Sequence, residues 1–412
     1  MRFSKTFVKT LRTAPKDETA KNGALLVRAG YIHKEMAGVY DYLPLGLRVI
    51  ENIKRIIREE LNKIGCEEVS LSALQNPEPW EKTGRFSDQE VDIWFKTELS
   101  AGGILGLAPT HEEPITELVK TYVSSYKDLP LYVYQFQTKF RNELRAKSGI
   151  LRGREFLMKD LYSFHTSEED LDRFYAEVEK AYKVIFERLG ISDSTFETFA
   201  SGGIFSKYSH EYQTFLPVGE DTVYHNNDKS VVLNEEVLEE DVLADLGVSR
   251  DELSETKAAE VANIFKLKFK YSEPLELKYI DEENKQKTVY MGCYGIGVSR
   301  LMGVIAEKFA DEKGLVWPES VAPFKYYLVG IGEKGQEVAE EFYKGREDEV
   351  LFDDRNLRVG EKFADAELLG IPTRIVISDK TLADGVAEIT DRKSGETKLI
   401  EINELKNLKR VD

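Results

Sequence analysis

Cysteine is nearly absent from this chain. Two among 412 residues, Cys66 and Cys293, cannot build a disulfide framework, so a reducing cytoplasm is the expected setting. Histidine is scarce as well, and the five present are scattered without metal-ligand spacing. No apolar run is long enough to span a bilayer, and the opening MRFSKTFVKT LRTAPKDETA has no hydrophobic signal region, so neither membrane insertion nor export is expected. Positive charge is in deficit: 57 Lys and Arg stand against 74 Asp and Glu, a formal charge of −17. That excludes indiscriminate nucleic-acid binding, which depends on neutralising phosphates, but leaves open a partner met through local basic patches. No P-loop lysine motif occurs.

What is present suits two or three domains with sizeable cores: 412 residues, 42% apolar and 32% charged. The most informative stretch runs from Leu131 to His165. Its pattern predicts two half-buried strands, Leu131–Phe140 and Glu155–Phe164. The loop between them gathers Arg141, Arg145, Lys147, Arg152 and Arg154, with bends at Gly149 and Gly153. Most charged hairpin tips are solvated turns, but guanidinium groups on a rigid hairpin also suit a polyphosphate.

Downstream, Gly295-x-Gly297 follows a predicted strand and opens a helix over 298–309. A dinucleotide fingerprint would need glycine or alanine at 300, which is Arg300. Upstream, His111-Glu112 lacks the second histidine of a zinc protease, since position 115 is Ile115. Thr110 reads as a helix N-cap with Glu112 and Glu113 in the first turn, the helix running to about Tyr126.

In order, Phe140-Arg141-x-Glu143 and Arg152-xxx-Phe156-xxx-Asp160 resemble motif 2 of the class II aminoacyl-tRNA synthetases, and Gly295-x-Gly297-x-x-Arg300 resembles motif 3. The fuller string TKFRNELR…LRGREFLMKDLYSFHTS resembles the bacterial-type prolyl-tRNA synthetases. The resemblance implies an α/β protein with an α+β catalytic core, an antiparallel sheet with flanking helices, and a C-terminal α/β anticodon-binding domain on a mixed sheet. It implies activation of L-proline with ATP and Mg2+, without zinc, and transfer to tRNA(Pro) by a cytoplasmic homodimer. Arg141, Arg152 and Arg300 would be catalytic. Glu143, Phe156 and Gly297 would join them around ATP, with Arg141 on the α-phosphate, Glu143 on the adenine amino group and Phe156 stacked on adenine. Thr110, Glu112, Arg141, Met158, Asp160, Tyr162 and His210 would hold proline, and Asp354, Arg355 and Lys362 would meet the anticodon.

The same resemblance divides the chain into 1–225 and 260–318 as two parts of the catalytic core, 226–259 as a short acidic connector in place of an editing insertion, and 323–412 as the anticodon-binding domain. It also marks two departures: Ser72 where motif 1 has proline, and Phe205-Ser206 where paired glycines are usual. Three rivals are weighed against it. A threonyl enzyme would need cysteine and histidine zinc ligands, which the corresponding region lacks. A ligase acylating another acceptor would be expected to have lost the C-terminal domain, which is here. A non-catalytic paralogue acting as a binding or regulatory protein fits the two departures but not the retained motif residues.

Further elements are expected from pattern alone. Residues 24–42 read as a helix and turn, 47–64 as an amphipathic helix, 68–74 as a strand and 104–107 as a short apolar strand. Ser167 caps a long helix ended by Gly190. The acidic connector holds short helices over 242–246 and 250–253. Beyond the rigid stretch 317–323, strands and helices alternate.

Overall fold

The computed structural model of the protein describes residues 1–144, 146, 148–201 and 208–406. It contains two compact units. One gathers Met1–Glu35, Tyr40–Asn52 and the chain from Ile305 on, and the other holds Met36–Val39 and Ile53–Val304.

The second unit is built on a nine-stranded sheet: β1 (Glu67–Glu68), β2 (Leu131–Phe140), β3 (Glu155–His165), β4 (Thr195–Ser201), β5 (Tyr208–Phe215), β6 (Asp221–His225), β7 (Val232–Asn234), β8 (Ser254–Lys268) and β9 (Tyr290–Gly297). Their order is β5-β4-β7-β6-β8-β9-β3-β2-β1. All pairings are antiparallel except β1 with β2 and β7 with β4. The expected hairpin is present, paired from Leu131↔Phe164 to Phe140↔Glu155. Register then brings distant motifs side by side: Asp160 lies opposite Gly295, Met158 opposite Gly297, and Asn263 opposite Gly295 from the other edge of β9. The helix Glu168–Arg188 starts as expected, with Ser167 Oγ accepting from the Asp170 amide and three acids in its first turn. Its Tyr175, Val178, Ala181, Tyr182 and Ile185 are buried.

Local departures have local causes. Residues 24–42 form a helix only over Lys21–Arg28. Gly30, at φ 69°, ends it, and a hairpin follows, Ile32–Met36 with Val39–Tyr42, turned at Gly38 with φ 76°. The strand expected over 68–74 stops at Glu68. Beyond it, Gln135 and Gln137 side chains bond the Leu71 backbone, and Leu74–Gln75 leaves for a small sheet with Ile104–Leu107 and Lys96–Glu98. The helix after Thr110 covers Glu112–Lys120, short of Tyr126. His111 is its N-cap residue, and the Thr110 hydroxyl bonds Glu112 instead of capping. The acidic connector is helical over Glu240–Leu246 and Arg250–Glu252, as expected. It is also woven into the sheet, through β7 beside β4 and the first residues of β8 beside β6. The Phe205-Ser206 departure lies outside the described residues, as do Arg145 and Lys147.

In the first unit, β10 (Tyr326–Ile331), β11 (Val350–Phe352), β12 (Thr373–Ser378), β13 (Val386–Asp391) and β14 (Thr397–Glu401) form a mixed sheet of order β11-β10-β12-β13-β14. The first three are parallel and the last two antiparallel. Helices Glu333–Tyr343 and Val359–Leu369 alternate with the parallel strands, and Leu328, Val350, Phe352, Ile375 and Ile377 fill the core. Among the described residues no helix is long and apolar enough to cross a membrane.

Candidate active site

Two clefts open on the nine-stranded sheet. The first, about 550 Å³, is walled by the hairpin tip, β8 and the β9–helix junction: Arg141, Glu143, Phe156, Glu260, Gly297 and Arg300 all line it. The second, about 1040 Å³, lies over Thr110, Glu112, Asp160, Phe265, Tyr271 and Cys293. Arg141, Met158 and Asn263 belong to both walls. Gly295 makes this junction sterically possible, since a Cβ there would sit 2.5 Å from Met158 Cε and 2.8 Å from Asn263 Oδ1.

Arg141 has no carboxylate partner among the described residues. Its Nε donates to the Pro109 carbonyl at 3.3 Å, and its guanidinium lies 5.2 Å from the Phe156 ring centre. Burial, and then the nearby Arg300, disfavour its charge. A desolvated cation pressed by a second cation, with Glu260, Glu112 and Glu143 near it but none bonded to it, is poised for an anionic ligand. Arg300 sits in the first turn of the helix Val298–Phe309, held by the Leu151 carbonyl at 2.8 Å and by Glu260. That turn is pinned to β3 because Ser299 Oγ accepts from the Leu157 amide. Arg152 also lines this cleft, held by carboxylates. It is clamped between Glu143 at 2.7 Å and Glu220 at 3.0 Å, so it reaches a phosphate only by leaving these carboxylates.

In the second cleft Thr110 Oγ1 donates to Glu112 Oε2 at 2.6 Å, and the Cys293 thiol lies 3.5 Å from Glu112 Oε1. Arg85, 3.8 Å from Glu112, is bound more tightly by Glu113 at 2.7 Å and donates to the Tyr271 hydroxyl at 2.9 Å. Glu112 is therefore buried in the wall of the cleft, with Thr110 and Cys293 on its two oxygens and Arg85 turned mainly to Glu113. Burial pushes the Glu113 carboxyl up to about 7, against the pull of Arg85.

Beneath the cleft lies a buried network. His111 Nε2–H donates to the Ser72 carbonyl at 3.1 Å, and Nδ1 accepts from the Lys139 ammonium at 2.5 Å. That ammonium also binds Asp160, which accepts from Gln135 at 3.1 Å. Burial and the Lys139 charge push the His111 imidazole down to about 4. Between pH 6.5 and 4 the unfolded chain therefore binds a proton at His111 that the folded chain does not. Stability falls as pH drops through that window and is unaffected by this group above it. Against wild type, His111→Gln is expected to remove about 2–3 kcal/mol of the loss between pH 7 and 4.5, read from urea midpoints at the two pH values.

Not every expected residue joins the site. Tyr162 is buried against Thr110, Glu112 and Asp160 of the second cleft without itself being exposed in its wall. His210 accepts from the Tyr175 hydroxyl at 2.8 Å and lies near Glu179 and Glu197 on the side covered by the helix Glu168–Arg188. In the other unit, Asp354 accepts from Ser4 at 2.7 Å. Arg355 is paired with Asp353 and Asp365 at 2.7 Å each, and Lys362 donates to the Asp353 carbonyl at 2.9 Å. All three have partners within their own unit. Sequence reasoning missed Arg85, Glu220, Glu260 and Asn263. Arg85 and Glu220 lie on loops, and Glu260 and Asn263 lie on β8, which its pairing with β9 brings to the site.

The class of protein follows from these features together with the comparisons. Residues 95–309 match the class II tRNA synthetase core domain model for the G, H, P, S and T enzymes, and residues 325–409 match the anticodon-binding domain model. The chain has the core of a class II aminoacyl-tRNA synthetase. A proline–tRNA ligase of Wolbachia sp. subsp. Drosophila simulans (strain wRi) is 38% identical over 419 residues, 99% of each chain. One from Geobacillus kaustophilus (strain HTA426) is 34% identical over an alignment of 560 residues, 98% of each chain. The chain belongs to the proline–tRNA ligase family. Among solved structures, Giardia lamblia prolyl-tRNA synthetase in complex with prolyl-adenylate has a TM-score of 0.74 at 21% identity, covering 93% of this chain and 74% of that one. The Cryptosporidium parvum enzyme complexed with halofuginone and AMPPNP has a TM-score of 0.76 at 18% identity, with the same coverage. These two share the fold.

Proposed function

We propose that this chain joins L-proline to ATP and passes the prolyl group to the 3′ end of tRNA(Pro), with the first cleft holding ATP and the second proline. The observation that carries this reading is Arg141, a cation with no ion-pair partner among the described residues where the two clefts meet. A proline carboxylate oxygen attacks the α-phosphorus and pyrophosphate leaves, so negative charge concentrates between the clefts. Arg141 neutralises it and holds both reactants in line. No protein nucleophile is required. A ribose hydroxyl of the tRNA then attacks the prolyl carbonyl carbon and AMP leaves. Met158 walls both clefts, Asp160 anchors the proline floor, and Phe156 offers a face to adenine. Glu143 takes the adenine amino group, and Arg152 and Arg300 face the outer phosphates.

Mg2+ fits this site: the half-exposed Glu260 carboxylate lies in the ATP cleft beside Arg300, and the ion would neutralise phosphate charge there. Free Cys66 and Cys293 suit a cytoplasmic setting. A homodimer is supported by exposed Leu74 and Ile104 on the small three-stranded sheet next to the motif 1 region. The difference between a 412-residue chain and a 560-residue alignment supports the absence of a cis-editing domain.

Glu112 supplies the anion for the secondary ammonium of proline, which has two N–H donors, with Thr110 fixing its geometry. Glu112→Gln is expected to raise the proline KM by about 10²-fold while leaving the ATP KM within threefold, read in ATP–pyrophosphate exchange. An unchanged proline KM would remove Glu112 from the amine site.

A further inference from the structure

The net acidity of the chain raises the question of where an RNA meets positive charge. Residues 1–16 hold five cations and no acid: Arg2, Lys5, Lys9, Arg12 and Lys16. This strap belongs to the same compact unit as the mixed sheet and is fastened along its length. The Phe352 amide donates to the Met1 carbonyl at 2.9 Å. Arg2 pairs with Glu340 and Asp354. Phe3 is buried with the Arg355 guanidinium 3.6 Å from its ring centre. Thr10 Oγ1 donates to Asp365 at 2.7 Å, and the Leu11 amide to the Arg28 carbonyl at 2.7 Å.

From Thr6 on, exposure alternates. Thr6, Val8 and Thr10 are half-buried, while Phe7, Lys9 and Leu11 face out, Phe7 at 79% exposure. Lys5, Lys9, Arg12 and Lys16 are exposed, and their side chains have no ion pair or hydrogen bond among the described residues. Beside the strap opens a cleft of about 1770 Å³ whose wall includes the cations Lys9, Arg12, Arg28 and Lys313, the last paired with Glu367 at 3.1 Å, along with the carboxylates Glu361 and Asp365. Arg28 Nε is buried at this wall without a partner. By contrast, Asp354, Arg355 and Lys362 are spent on holding the strap and its platform.

We infer that the N-terminal strap is an RNA-binding surface, with Lys5, Lys9 and Arg12 on phosphates and Phe7 stacking on an unpaired base of the tRNA anticodon arm. Uncommitted cations interleaved with an exposed aromatic, next to a cleft with an unpartnered guanidinium nitrogen, match what single-stranded RNA requires. A protein-docking face would not need a run free of acids. The inference rests on reading the chain as a tRNA ligase only for the identity of the RNA.

The test uses the full chain and an in vitro transcript of a proline tRNA. Lys5→Glu/Lys9→Glu/Arg12→Glu is expected to weaken transcript binding, followed by fluorescence anisotropy, by about 10–100-fold. It should also flatten log K against log salt by about two, roughly 0.7 per lost phosphate contact. Phe7→Ala should weaken binding about tenfold without changing the salt slope. Lys285→Glu/Lys393→Glu/Lys398→Glu, the same charge change at exposed positions elsewhere, should leave binding unchanged. Proline-dependent ATP–pyrophosphate exchange, which uses no tRNA, should stay within twofold of wild type in all of them. Unchanged RNA affinity in the strap variants, with exchange intact, would overturn the inference and leave the strap as a protein contact. Absent exchange in the wild type, with RNA binding still lost on strap mutation, would overturn the activity reading and leave this one standing.

Discussion

Replacing Arg141 with alanine is expected to lower proline-dependent ATP–pyrophosphate exchange by about 10³–10⁵-fold without unfolding the protein. The size follows from its position. It is the one residue that borders both clefts and also has a full charge with no carboxylate partner among the described residues. Its loss removes stabilisation made where charge develops, so kcat falls together with kcat/KM. Because no internal ion pair is broken, the urea midpoint should barely move. Arg141→Lys should recover little, since an ammonium cannot bridge a phosphate and a carboxylate in one plane. A variant with wild-type exchange would mean that the chemistry lies elsewhere.

The second large effect is on stability. Lys139 is fully buried and its ammonium is shared by Asp160 and His111. Lys139→Met keeps the volume but leaves the Asp160 carboxylate buried with the Gln135 amide alone. A buried charge stripped of its partner typically costs about 3–5 kcal/mol, so the urea midpoint should fall accordingly with an unchanged m value. Adding Asp160→Leu should recover most of that loss while impairing proline binding, because Asp160 also floors the proline cleft. A Lys139→Met protein as stable as wild type would show that Asp160 is neutral in the fold.

Lys139 and Gln135 also illustrate what the sequence could not disclose. In a half-buried strand the polar positions are read as facing water, yet both are buried, because a second layer covers that face. The hairpin Leu131–His165 and the strand–helix junction at Gly297 were legible, being local patterns of alternation, glycine and helical spacing. The small mixed sheet was legible for the same reason, in the alternation of strand and helix beyond 317–323. The hairpin over 32–42 was hidden by an apparent helical period that Gly30 and Gly38 interrupt. The strand at 68 ended early for a non-local reason, the glutamine side chains from β2. Arg141, Glu143, Phe156, Gly297 and Arg300 converge because motif spacing encodes the register of three neighbouring strands. His210 and Tyr162 were assigned by resemblance alone: His210 is bonded by Tyr175 on the helix side, whereas Tyr162 is buried beside Thr110, Glu112 and Asp160 of the second cleft.

The central claim, that the two clefts meeting at Arg141 form a proline-activating site, is tested most directly by ATP–pyrophosphate exchange with proline, alanine, threonine and no amino acid side by side. Exchange should depend on proline. Alanine should follow measurably but more slowly, because one pocket discriminates each missing methylene by only about 1–3 kcal/mol. Threonine should stay at background. Exchange with none of the three, from protein shown to be folded, would contradict the claim and point to a paralogue that kept the fold and lost the reaction.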